Sequence, residues 1–126
     1  MSIGIVRYPG SNCDIDTKRY FSDSFYIWHT ESDVSVIDSI DLLVIPGGFA
    51  FGDRIYEKAT GSYKISPGEM AIKSSVINII KQAIVLKIPI VGICNGFQIL
   101  TQMRLLPGKL LLNNDKKFTN KKVKCI

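Results

Sequence analysis

The sequence predicts an α/β domain built on a mostly parallel sheet with helices on both faces. Two observations carry that expectation. Apolar runs ending in glycine-bearing loops alternate with segments of helical periodicity, the order expected of strand–helix–strand units. The runs Asp41-Leu42-Leu43-Val44-Ile45 and Ile88-Pro89-Ile90-Val91 are continuously apolar rather than alternating, as strands covered on both faces are. A chain of 126 residues, 46% of them hydrophobic, makes one small domain with a proper core.

The elements follow in order. Ser2 to Arg7 reads as a short buried strand, and Tyr8-Pro9-Gly10-Ser11-Asn12 as a turn. Asn12 or Asp14 is placed to cap a helix running through Ile15, Arg19 and Phe21. Phe25 to His29 reads as a second strand, and Asp33 to Ser39 as polar connecting sequence. Asp41 to Ile45 is the third strand, forced into a loop by Pro46-Gly47-Gly48. A long segment with Gly61, Pro67 and Gly68 follows. The spacing of Ile72, Val76, Ile79, Ile80, Ala83 and Ile84 then predicts a helix from about Ala71 to Leu86. Pro89 ends it, and the strand before Cys94 begins. After a helix opening at Phe97-Gln98-Ile99-Leu100, Leu105-Leu106-Pro107-Gly108 makes a turn. Leu110-Leu111-Leu112 and Val123 to Ile126 are weak strand candidates. In such sheets, ligands bind beyond the carboxyl ends of the strands. The loops at Gly10, Gly47 and Cys94 all follow strands, so they should gather on that edge.

Composition narrows the function classes. The net charge of +5 is concentrated in Lys109, Lys116, Lys117, Lys121, Lys122 and Lys124. Only Phe118 interleaves with these lysines as a stacking platform, so a solvated face or an acidic partner is expected rather than nucleic acid. No apolar run is long enough to span a bilayer, and the first residues lack the pattern of a signal peptide. Three cysteines, Cys13, Cys94 and Cys125, have no metal-like spacing. A reducing, cytoplasmic location without a metal site is expected.

The most telling stretch is Gly92-Ile93-Cys94-Asn95-Gly96, set between a buried strand and a helix. A nucleophile flanked two residues away by small residues, at a strand-to-helix turn, is the pattern of a nucleophile elbow. The turn lifts the side chain of Cys94 out of the sheet, and the helix start behind it favours a thiolate. Acyl chemistry also needs donors for an oxyanion. The Pro46-Gly47-Gly48-Phe49 loop can supply one N–H, from Gly48, and the N–H of Asn95 a second. Gln98 lies one helical turn past the elbow, where an amide could touch substrate.

The Pro-Gly-Gly loop followed by Gly-Ile-Cys-Asn-Gly-Phe-Gln resembles the triad (class I) glutamine amidotransferases. More narrowly, the chain resembles the glutaminase subunits of phosphoribosylformylglycinamidine synthase. The narrower match rests on Pro9-Gly10-Ser11-Asn12-Cys13-Asp14, Trp28-His29, Pro46 through Asp53, Cys94-Asn95-Gly96-Phe97-Gln98, and Leu105-Leu106-Pro107-Gly108 with Asn113 and Phe118. The resemblance implies a flavodoxin-like fold, with residues 1–126 as the N-terminal part of a single amidotransferase domain, incomplete at the C-terminus. It implies Cys94 as nucleophile, Gly48 and Asn95 as oxyanion donors, and Gly47, Phe49 and Gln98 as substrate-binding residues. The implied reaction is hydrolysis of L-glutamine to glutamate and ammonia. The implied partners are a synthetase subunit, which would hold ATP and magnesium, and a small accessory subunit. No cofactor is expected in this chain.

The sequence departs from that family in three places. The His-x-Glu expected near the end of a longer chain is missing. The only histidine, His29, is expected to be a structural or surface residue. The segment Arg54 to Met70 is expanded, and Leu112 stands where a basic residue is expected. Two other readings follow. One is a non-catalytic fragment or docking subunit of the same fold. The other is a protease- or deglycase-like elbow enzyme, disfavoured because Asn95 rather than histidine follows the nucleophile.

Overall fold

The computed structural model describes residues 1–50, 68–111, 113–115 and 117–124, with the backbone of 56–57 and 64–65. Strand β1 (Ile3–Arg7) leads into helix α1 (Asp14–Tyr20), and β2 (Ser24–Trp28) follows. A short 3-10 helix (Val34–Ser39) precedes β3 (Leu42–Ile45). Two two-residue strands, β4 (Tyr56–Glu57) and β5 (Lys64–Ile65), pair antiparallel apart from the main sheet. A 3-10 turn (Ala71–Lys73), α2 (Ile77–Val85), β6 (Ile90–Gly92) and α3 (Asn95–Gln102) complete the elements.

The main sheet has four parallel strands in the order β2-β1-β3-β6. From β1 the chain adds β2 on one side and β3 on the other. The strand order therefore reverses between β1 and β3, where sheets of this kind open a crevice at their carboxyl ends.

Both faces are covered, as the apolar runs predict. Val6, Ile27, Leu43 and Ile45 pack against Ile79, Ile80 and Ala83 of α2 and Ile99 and Leu100 of α3. On the other face Ile3, Ile5 and Val44 pack with Phe21, Tyr26 and Leu42 beneath α1. Leu43, Val44 and Ile45 are fully buried, because β3 is an inner strand between two helical layers. Strand β6 is different. Val91 lies in register with Val44 yet is 43% exposed, since α1 reaches over β1 and not over β6.

Several local expectations need correction. Neither Asn12 nor Asp14 caps α1. Cys13 is the N-cap, and the Asp14 carboxylate accepts from the Ile15 N–H and pairs with Arg7. Asp33 to Ser39 is a 3-10 helix, because Asp33 caps it through the Ser35 N–H and Ile37 drops into the core. The helix expected from Ala71 to Leu86 is broken at Ser74, which is extended. The Val76 N–H bonds instead to the His29 carbonyl, and α2 starts only at Ile77. Leu110 and Leu111 form no strand, nor do Val123 and Lys124. Leu111 and Val123 are 72% and 67% exposed, with no sheet surface to bury them. Phe51 to Asp53, most of 54–67, Leu112 and Cys125 lie outside the described residues. Among the described residues no helix is long and apolar enough to cross a membrane.

Candidate active site

Cys94 is the residue between β6 and α3, where it serves as the N-cap. Its backbone has φ 52 and ψ −106. This lies outside the regions that side-chain-bearing residues normally occupy. It stores strain on the order of 1–3 kcal/mol, of the kind that gathers at functional sites. The Ile93 N–H donates to the Ile45 carbonyl at 3.0 Å, which extends the β3–β6 pairing to the brink of the turn. The Gly96 N–H then donates to the Ile93 carbonyl at 2.9 Å and closes the turn. Cys94 is exposed at the top.

Gly96 makes the turn possible. A Cβ there would stand 2.0 Å from the Ile45 carbonyl oxygen. Only a residue without a side chain lets α3 start directly over the end of β3.

The loop that follows Ile45 lies beside the same turn. At Gly47 a Cβ would meet the Cys94 Cβ at 3.4 Å and the Cys13 sulfur at 3.6 Å. Gly47 is therefore the floor between two exposed thiols, Cys13 and Cys94. Its carbonyl accepts from the Cys13 N–H at 3.2 Å. Gly48 has φ +137, and a Cβ there would strike the Asn12 nitrogen at 2.4 Å. So Gly48 answers a packing need, the interlock of the loops after β1 and β3, as well as leaving a backbone open. The Phe49 N–H is used in that interlock, donating to the Gly10 carbonyl at 2.8 Å, whereas the Gly48 N–H meets no acceptor among the described residues. Of these two donors, that of Gly48 is the one left unspent among the described residues. The Phe49 side chain is 57% exposed.

Asn95 opens α3, where the helix itself offers its N–H no acceptor. Its side chain is buried and donates from Nδ2 to Oε1 of Gln98 at 2.9 Å. The Gln98 N–H donates to the Cys94 carbonyl at 3.1 Å. The loops at Gly10, Gly47 and Cys94 thus converge on the carboxyl edge, with Gly47 against Cys94, Gly48 against the loop after β1, and Asn95 and Gln98 following Cys94 on α3. Sequence reasoning missed the nearness of Cys13 and the Asn95–Gln98 bond. The first had a signal, since Cys13 follows the loop after β1. The second is an ordinary i,i+3 pair on a helix, without a signature of its own.

His29 lies elsewhere. It follows β2, three strand positions from β6 and so about 14 Å across the sheet. Its ring packs against Trp28 and Tyr8, with Nδ1 3.4 Å from the Ser74 hydroxyl. Burial pushes the Tyr8 phenol far above its usual range, so it stays protonated. An apolar hollow of about 310 Å³ lined by Ile84, Ile90, Leu100 and Leu106 sits at the amino end of β6, away from the thiol. Among the described residues no cluster of histidine, cysteine, aspartate or glutamate could hold a metal ion.

Comparison with known proteins agrees with this arrangement. The structure of PurLQS from Thermotoga maritima matches with a TM-score of 0.74 and 34% sequence identity. The match covers 95% of this chain, which spans only 52% of the chain it matches. The CobB/CobQ-like glutamine amidotransferase domain matches residues 1–125, nearly the whole sequence. With a strained elbow cysteine at the carboxyl edge of a doubly covered parallel sheet, the chain belongs to that glutamine amidotransferase family.

Proposed function

We propose that this chain carries the glutamine site and the nucleophile of a glutaminase. The observation that carries the proposal is the position of Cys94, strained, exposed and 3.4 Å from where a Cβ of Gly47 would stand. The Cys94 sulfur attacks the carboxamide carbon of L-glutamine. The resulting oxyanion is held by the N–H groups of Gly48 and Asn95, two fixed dipoles on adjoining loops. Collapse of the tetrahedral centre breaks the C–N bond and, with a proton, releases ammonia. Water then cleaves the thioester, giving glutamate and the free thiol. Gly47 and Phe49 border the substrate on the loop side, and Gln98 on the helix side.

The likeness to PurLQS, over half of that chain's length, supports a finer reading. The ammonia passes to a synthetase subunit that makes phosphoribosylformylglycinamidine, with a small accessory subunit in the same complex. ATP and magnesium belong to the synthetase. The reaction is cytoplasmic purine biosynthesis. One observation favours a second, narrower role for the 126 residues taken alone. The only histidine stands on the far edge of the sheet, so within this sequence Cys94 has no imidazole to serve as base. On that reading the chain captures glutamine without turning it over.

Protection of Cys94 tests the substrate. L-Glutamine should slow its alkylation by iodoacetamide, and D-glutamine should not. Equal effects of the two enantiomers would rule out a glutamine site at this thiol.

A further inference from the structure

Asn95 is 1% exposed, although it adjoins the exposed Cys94. It follows a residue of strained backbone and precedes one that sits against the Ile45 carbonyl. Such a side chain has little freedom to reorient. Its Nδ2 donates to Oε1 of the half-buried Gln98 at 2.9 Å. Helical side chains lean toward the helix N-terminus, which for Gln98 is the end at Cys94. A carboxamide has two unlike ends, an acceptor oxygen and a donor amino group. With the oxygen engaged by Asn95, the amino group is the end left for a ligand.

We propose that Asn95 is a positioning residue that sets the polarity of Gln98, so that Nε2 and not Oε1 meets the substrate. This rests on the glutaminase reading above and extends it. An amino group presented beside Cys94 selects an acceptor on the ligand, a carboxylate or carbonyl oxygen of the amino-acid substrate. It rejects a ligand that offers an N–H at that point. The Asn95 side chain lies on the buried side of α3, so its effect on the ligand passes through Gln98, separately from the oxyanion contact of the Asn95 N–H.

The test is saturation kinetics of alkylation of the intact chain by a glutamine-derived diazoketone. Iodoacetamide serves as a second electrophile that needs no glutamine recognition. Asn95→Asp reverses the polarity at neutral pH, because a carboxylate only accepts and Gln98 must turn its amino group inward. The expected result is a rise of about tenfold or more in the half-saturating concentration, the size of one misdirected hydrogen bond to a charged group. The maximal rate and the iodoacetamide rate are free to change, because the Asn95 N–H also serves the oxyanion, but by a smaller factor than the half-saturating concentration. The defect should fade in acid as the new carboxyl becomes protonated and regains a donor. Gln98→Glu makes the same reversal from the exposed side and should give a similar rise even if Asn95→Asp does not fold. An unchanged half-saturating concentration in a folded variant overturns the proposal. An equal fall in the iodoacetamide rate also overturns it, since Asn95 would then be packing alone. If the unmodified chain itself shows no saturation, the glutaminase reading falls, and this inference with it.

Discussion

A Cβ on Gly96 would stand 2.0 Å from the carbonyl oxygen of Ile45, so the turn at Cys94 and the end of the central strand are in backbone contact. Gly96→Ala must push α3 off β3 or twist the turn. Either response should lower stability by about 2–3 kcal/mol, as overpacking against backbone does. Because the shift falls beside Cys94, thiol alkylation should change with it. Urea unfolding and iodoacetamide rates on the same variant check both halves of the prediction.

Gly48→Ala meets two obstacles, a φ of +137 and the Asn12 nitrogen 2.4 Å from the new carbon. The loops after β1 and β3 should separate, and the Phe49 to Gly10 hydrogen bond should weaken. Roughly 2–3 kcal/mol of destabilisation is expected. Faster amide exchange at Phe49 would report the separation directly. Unchanged exchange would mean that the two loops are not interlocked in solution.

Acid should weaken the cap of the first 3-10 helix. Hydrogen bonds from Ser35, side chain first and backbone second, hold the Asp33 carboxyl below its ordinary range. A depressed folded-state value means the contribution is full above the ordinary aspartate range. It is lost as pH falls through the lowered one. Asn at this position keeps an acceptor without titrating. The stability difference between Asp33→Asn and the parent should therefore be constant at neutral pH and shrink in acid, measured by urea midpoints across that range.

Glutamate release by the 126-residue chain should be negligible, about 10³-fold or more below a triad-complete enzyme. The reason is geometric. A base must reach the thiol and later the leaving ammonia, and His29 stands on the opposite edge, packed against Trp28 and Tyr8. Turnover that disappears in His29→Ala would show that the imidazole reaches Cys94 after all.

Much of this site was legible in the sequence because its parts obey short-range rules. A continuous apolar run, a forced loop and a small-x-Cys-x-Gly turn each declare their local structure. Where strands carry those loops to one edge, the convergence of Gly10, Gly47 and Cys94 follows. What stayed hidden was tertiary. Nothing local tells that Ser74 will be pulled extended so that Val76 can bond to His29, or that Ile37 will drop into the core and wind its neighbours into a 3-10 helix. The glycine at 48 suggests an open backbone; that a side chain there would strike Asn12 depends on a loop 36 residues earlier in the sequence. Likewise, the spending of the Phe49 donor on Gly10 is a contact between two loops, invisible from either one.

The proposed glutamine site takes Cys94, and not its neighbour Cys13, as nucleophile. Both thiols are exposed, and both flank Gly47. General accessibility therefore does not separate them, and only placement at the strained elbow does. Mass mapping after limited reaction with the glutamine-derived diazoketone decides the matter. Label is expected on Cys94, suppressed by L-glutamine, with Cys13 and Cys125 unmodified and no labelling in Cys94→Ala. Equal labelling of Cys13 and Cys94, or label that persists at the same rate in Cys94→Ala, would contradict it.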